Sequence, residues 1–172
     1  MAAIDDHIKF LANKPPHERE YRTLEFYHVD FPSPLRFVKD FTDIDFTLES
    51  TAPRDPSTLQ SFAALSMSIV EPAENLDGVQ ILTCSIGATN DFLQDQLNLI
   101  TPANVFEPVE VIYRKYYSGN LTEPVKVLYL SMTSVEMQGY TKNSIIAEDQ
   151  DIASKSSGEL YTLDRFPTIR NL

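Results

Sequence analysis

Residues 109–139 read VEVIYRKYYSGNLTEPVKVLYLSMTSVEMQG. The two flanks, 109–119 and 125–139, are two of the longest strand candidates in the chain. They are rich in β-branched and aromatic residues, which fit a pleated, half-buried surface. The stretch between them, SGNLTEP, is turn-rich and of hairpin length. A long hairpin of this kind needs other strands to cover it. Along its first strand Tyr113 and Tyr117 share a face and Tyr116 opposes them, because side chains alternate with period two. Such tyrosines suit core or interface packing, and stacking on sugars or bases is the alternative.

Strand patterns continue on both sides. Leu24, Phe26 and His28 share one face of a strand over about 21–29; Leu35 and Phe37 begin a second; Ile44, Phe46 and Leu48 share a face of a third. Residues 60–70 place Ala63, Leu65, Met67 and Ile69 on one face of a continuous strand. VQILTCSI, 79–86, is evenly apolar, the pattern of a strand buried on both sides. Residues 143–153 predict a further strand. STAPRDPST, 50–58, predicts a polar loop.

Two helices are expected. Ile4, Ile8 and Leu11 recur at helical spacing over 3–13, Asp5 and Asp6 suit the first turn, and Pro15 and Pro16 stop it. Leu93, Leu97 and Ile100 mark an internal helix capped by Thr89 or Asn90 and ended by Pro102. The reading is an N-terminal helical arm, 1–19, and a single β-rich domain, 20–172. The fold class is mainly β, an antiparallel sandwich or barrel with one short internal helix.

Length fits one domain, since the chain has 172 residues. The formal charge is −11, and a surface of that sign repels phosphates, so sequence readout of nucleic acid is not expected. Cys84 is alone, in an apolar run, which predicts a buried inert thiol and no intramolecular disulfide. The N-terminus carries acids where a signal peptide needs bases, and no run approaches membrane-spanning length. A soluble chain made in the cytoplasm is expected.

Catalytic patterns are thin. His7, His17 and His28 belong to no motif, and no GxSxG, HExxH or Gly-rich phosphate loop occurs. Asp40, Asp43 and Asp45, and Glu148, Asp149 and Asp151, gather carboxylates that are the raw material of a Ca²⁺ site or a glycosidase acid pair. Neither has EF-hand spacing, and alternating acids on a strand are more often its solvated face. No enzyme activity, cofactor or metal is expected.

TLEFYHVDFPSPLRFVKD, SIVEPAENLDGVQILTCSI, EPVEVIYRKYYSG and the terminal DRFPTI together resemble a family of uncharacterised small tail proteins of long-tailed phages and prophages. The likeness runs over roughly 20–170, and the PSP-x-R pattern is kept by Pro32, Ser33, Pro34 and Arg36. It implies a fold related to tail-tube proteins and a structural ring in the virion tail, joining tube to tip around a DNA channel. Homo-oligomers, six-fold rather than three-fold, and contacts with tail-tube, tape-measure and tail-tip proteins follow from it. DNA would only pass through, and no membrane would be involved. The subunit contacts it implies are Pro32, Pro34, Arg36, Tyr113, Tyr117, Asp164, Phe166 and Pro167. In this reading FPSPLRFVKD, 31–40, is a stiff corner where proline ends strand pairing, and Arg36 bridges to an acid of its own or a neighbouring subunit or stands in water. The alternative is a carbohydrate- or receptor-binding β-sandwich of the tail tip.

Overall fold

The computed structural model describes residues 8, 9, 12, 19–72, 80–87, 92–138 and 142–149. Among the described residues nine strands are present: β1 (Glu20–Tyr27), β2 (Leu35–Val38), β3 (Ile44–Thr47), β4 (Leu59–Ala64), β5 (Met67–Val70), β6 (Ile81–Gly87), β7 (Glu110–Tyr117), β8 (Lys126–Gln138) and β9 (Lys142–Glu148). One helix, α1 (Phe92–Leu97), separates β6 from β7. Ile8, Lys9 and Ala12 are helical; the other residues of the helix expected over 3–13 lie outside the described set.

The strands form one sheet in the order β3, β4, β2, β1, β7, β8, β9, β6, β5. The hairpin of 109–139 is its centre, with Tyr113 opposite Leu128 and Glu110 opposite Ser131. β1 pairs with β7 along its whole length, from Glu20 opposite Tyr117 to Tyr27 opposite Glu110. The sheet is mixed, because β2 and β4 run parallel. A two-residue junction, Leu65–Ser66, joins β4 to β5, although these lie near opposite ends of the strand order. Leu65 N donates to Val38 O at 2.9 Å and Gly87 N donates to Ser66 O at 3.3 Å. The junction is thus bonded to β2 on one side and β6 on the other, and the sheet rolls up on itself. The single strand expected over 60–70 is broken there so that its two halves can pair with different neighbours.

Alternation then decides burial. Leu24 and Phe26 of β1 and Val111 and Tyr113 of β7 face a first core, completed by Phe37, Ile69, Leu82 and Ile145. Tyr116 of β7 faces a second, smaller core with Val38, Phe46, Leu48 and Phe62. There the Phe46 ring centroid lies 4.5 Å from that of Tyr116 and 5.3 Å from that of Phe62, the latter edge-on. The strands buried on both faces are therefore β1 and β7, not 79–86. β6 buries Leu82, Cys84 and Ile86 and leaves Thr83 and Ser85 half-covered, because only its inner face meets a core.

The helix is shorter than its pattern. Leu93 is buried, and Leu97 and Ile100 pack against the first core. Tight bonds from Leu99 N to Gln96 O and from Ile100 N to Leu97 O end it before Pro102. The expected caps, Thr89 and Asn90, lie outside the described residues. Among the described residues no helix is long and apolar enough to cross a membrane.

Phe46→Ala removes the centre of the second core and is expected to cost about 3–5 kcal/mol, read by urea unfolding. Phe41→Ala, at a side chain 97% exposed, should leave the midpoint unchanged.

Candidate functional site

The faces of β1, β2 and β7 that look toward the second core carry charges. Glu25 of β1 stands opposite Arg36 of β2 in register, and Arg114 of β7 stands opposite Thr23 of β1. Glu25 and Arg114 are both 0% exposed. An isolated buried charge is prohibitively costly, so each must be paired and hydrogen-bonded.

That pairing is extensive. Arg114 Nη1 donates to Glu25 Oε2 at 2.8 Å. Its Nε and Nη2 form a fork onto Glu49, at 2.7 and 3.0 Å, the geometry in which a planar guanidinium binds a carboxylate best. Tyr129 of β8 adds a hydroxyl bond to Glu49 Oε1 at 3.1 Å. Arg54 Nε reaches Glu25 Oε1 at 3.3 Å and its Nη1 reaches Glu110 Oε2 at 2.6 Å. The Arg54 guanidinium also lies 3.9 Å above the Tyr27 ring centroid. Arg36 contacts Glu25 at 3.5 Å and binds Gln60 and Asp55, both at 2.7 Å.

The loop 48–58 is therefore a component of the site rather than a solvated connection. Its Glu49, Arg54 and Asp55 all plug into the network. Asp55 and Ser57 take left-handed backbone angles, φ 50° and 57°, and Asp55 O accepts from the Thr58 hydroxyl at 2.6 Å. Aspartate tolerates this conformation better than most residues. Beside the network lies a cleft of about 380 Å³ walled by Thr51, Pro53, Glu110, Ile112, Tyr129 and Ser131.

The electrostatics follow from the pairing. Burial pushes the Glu49 carboxyl upward, but the Arg114 fork and the Tyr129 hydroxyl outweigh it, and its pKa is lowered. Arg114 is raised: burial opposes its charge, and the two glutamates more than offset that. Glu49 is thus held as a carboxylate whose lone pairs are already engaged. The network fixes shape, and the polar wall of the cleft is what remains for an outside molecule.

The residues singled out from sequence fall in different places. Arg36 bridges acids of its own chain. Pro32 is exposed and Pro34 half-buried, and the Phe31 N bond to His28 O at 2.9 Å closes the corner they stiffen. Tyr113 and Tyr117 are buried inside the body, which removes their side chains from any outer contact surface. Burial raises the Tyr113 hydroxyl, and the neighbouring Glu71 carboxylate adds to the shift, although among the described residues no group meets that hydroxyl in bonding geometry. Asp164, Phe166 and Pro167 lie outside the described residues, as do His7, His17 and Asp151. His28 is buried against Phe31, with ring centroids 5.6 Å apart, and its Nδ1 accepts from Asp30 N at 3.2 Å. Cys84 is buried, and desolvation pushes its thiol up to about 12, as an inert thiol requires.

The first acidic cluster is dispersed into structural tasks. Asp40 accepts from Phe41 N at 2.7 Å and lies 3.5 Å from Arg19; Asp43 accepts from Ala64 N at 2.7 Å. Of the second cluster, Asp149 N donates to Gln80 O at 3.1 Å and anchors the end of β9. One acid outside both clusters also shapes the surface. Asp30 accepts from Thr101 N at 2.8 Å, Thr101 Oγ1 at 3.0 Å and Asn104 Nδ2 at 2.6 Å. Its pKa is lowered, first by the Thr101 amide. It fastens the loop that presents Val105 and Phe106 to solvent.

The members of the network that pattern reading missed are Glu25, Glu49, Arg54 and Arg114. For Glu25 and Arg114 the only sequence signal is a charge inside an apolar strand, and period two alone assigns them to an outer face; Glu49 and Arg54 stand in the loop between β3 and β4.

The family model described as a domain of unknown function (DUF1833) matches residues 8–157, and the chain belongs to that family. No curated protein sequence matches it.

Arg114→Met takes the principal cation from buried Glu25 and half-buried Glu49 and is expected to cost about 3–5 kcal/mol. Adding Glu25→Leu should recover part of the loss, a coupling read by a double-mutant cycle. The pH response has a fixed sign. Because the folded pKa of Glu49 is lowered, its contribution is present above the unfolded value and is lost as pH falls through the folded one. Urea unfolding from pH 7 downward should lose stability below about pH 4.3, and Glu49→Gln should flatten that slope.

Proposed function

We propose that this member of the DUF1833 family is a structural protein of a long-tailed phage particle, one subunit of a ring at the distal end of the tail. In this reading the ring joins tail tube to tail tip and lines the channel through which DNA leaves. The observation that carries it is the apolar surface of an otherwise locked body. Phe106 is 94% exposed together with Val29, Leu99 and Val105 close to the Asp30-fastened loop, and Phe41 is 97% exposed at the other end of β1. Grouped exposed apolar side chains on a rigid support mark a surface that a partner covers.

Three further features support it. The likeness of the PSP-x-R corner and of EPVEVIYRKYYSG to small tail proteins covers most of the chain. The closed, ion-locked β body suits a part that must keep its shape under load. The charge of −11 suits a channel wall that DNA slides past without sticking. Six copies are the favoured closure and three the alternative, in contact with tail-tube, tape-measure and tail-tip proteins.

A second reading, a carbohydrate- or receptor-binding module of the tail tip, rests on the cleft. Tyr129, 46% exposed, is an aromatic platform flanked there by Thr51, Glu110 and Ser131, the mixture of ring and polar groups that sugars bind.

Native mass spectrometry with negative-stain imaging separates the two. Closed rings with a central hole, alone or on added tail-tube protein, are expected. A monomer that stays apart from tail proteins and binds glycans, with binding lost in Tyr129→Ala, would favour the second reading.

A further inference from the structure

Strand register sets the residues of the cleft beside the loop 48–58. Ser131 of β8 stands opposite Glu110 of β7 on one side and Glu148 of β9 on the other. Directly opposed residues of antiparallel strands put their side chains on the same face. The two glutamates therefore flank Ser131 in one row, roughly 10 Å apart at about 4.8 Å per strand. Two residues along, Ile112 stands opposite Tyr129 on that same face. Glu110, Ile112, Tyr129 and Ser131 line the cleft of about 380 Å³, with Thr51 and Pro53 of the loop. Asp149, which directly follows Glu148 and β9, lines it as well.

The charges around this cleft do not balance. Arg54 is the nearest cation, and it is held on Glu25 at 3.3 Å and on Glu110 at 2.6 Å, so Glu110 is already neutralised. Arg36 and Arg114 are spent on Glu25, Asp55 and Glu49. Glu148 and Asp149 have no ion-pair partner among the described residues. Glu148 is half-buried and Asp149 exposed, so both carboxylates stay within reach of a solute. The ring of Tyr129 is 46% exposed, and its hydroxyl donates to the Glu49 carboxylate at 3.1 Å. Donation to an anion enriches the ring in electrons, and an electron-rich ring face attracts a cation.

We propose that the cleft binds an amino sugar through its protonated amine. The amine lies against Asp149 and Glu148, the pyranose ring stacks on Tyr129, and Thr51 and Ser131 stand beside the sugar hydroxyls. The cleft is of the size that takes a single small ligand, at the lower end of the usual range of about 300–1,000 Å³. Charge selects among sugars. An acidic sugar is repelled, and a neutral or N-acetylated one makes no ion pair with Asp149 or Glu148. The inference deepens the sugar-binding reading of the cleft and rests on it; ring assembly is independent of it.

The test titrates glucosamine, N-acetylglucosamine and glucose into the full chain, followed by saturation-transfer NMR at about pH 6, where an amine of this kind is protonated. Glucosamine should bind on the order of tenfold more tightly than the other two. Asp149→Asn and Glu148→Gln should each remove most of that preference with urea midpoints unchanged, and Tyr129→Ala should weaken binding of glucosamine. Glu123→Gln removes the same charge from an exposed acid in the turn after β7, at its far end from Glu110, and should change nothing. Glucosamine binding no better than glucose or N-acetylglucosamine overturns the amine assignment and leaves a sugar-binding cleft standing. Binding of none of the three overturns both. A glucosamine preference that all three acid variants weaken alike, or that none of them weakens, is general attraction to an acidic surface and overturns the site.

Discussion

The ion pair between Glu25 and Arg114 is the constraint on which the rest of this fold depends. Two opposite charges sit with no solvent exposure on the central strands β1 and β7. Neither is tolerable there without the other. Their geometry also fixes alignment. Side chains alternate with period two, so a slip of one residue in β1 or β7 would move a charge from the second core into the first. The pair thus penalises wrong pairing of the two longest-paired neighbours in the sheet. Arg36 extends the same control to β2, opposite Glu25, and Glu49 and Arg54 extend it to the loop that covers this face.

The opposite face of the same strands carries a lighter version of the device. Arg22 of β1 lies 3.2 Å from Glu71, and Lys115 of β7 lies 3.3 Å from the same carboxylate. Glu71 directly follows β5, so this cluster ties the far end of the strand order back to the centre. That cluster is partly exposed, so its worth is small beside the buried network. The two clusters nonetheless brace both faces of one strand pair, and the Leu65–Ser66 junction joins the rolled sheet at the side. A body fixed on both faces and rolled onto itself has little freedom to change shape. What it can vary is what it presents at its ends.

Those ends are where the chemistry open to partners resides. The network spends its own hydrogen bonds internally, and Asp40 and Asp43 of KDFTDIDF are turned onto backbone amides and Arg19. The ends instead show rings and aliphatic side chains on loops held by carboxylate bonds, Asp40 beneath Phe41 and Asp30 beneath Val105 and Phe106. Carboxylates here act as fasteners of surface loops. An acidic sequence of this kind therefore owes part of its charge to local backbone satisfaction, not to solubility alone.

The sequence by itself determined the β class, the central hairpin, most strand positions and the inert Cys84. These depend on period-two patterning, turn residues and local apolar density, all of which are short-range. It also placed the internal helix, through Leu93, Leu97 and Ile100, while missing its early end. The tertiary structure alone decided that β1 and β7 are buried on both faces and β6 on one, because that depends on which strands roll over which. For the same reason Glu25 and Arg114, which alternation assigns to a wet face, became the buried centre. Arg54 and Glu49 stand in what reads as a polar loop, far in sequence from their partners, and a pattern of neighbours carries no record of such distances. Rolling the sheet also turned Tyr113 and Tyr117 inward and left Phe41 and Phe106 outside, since burial is a property of the closed surface and not of the residue's own hydrophobicity.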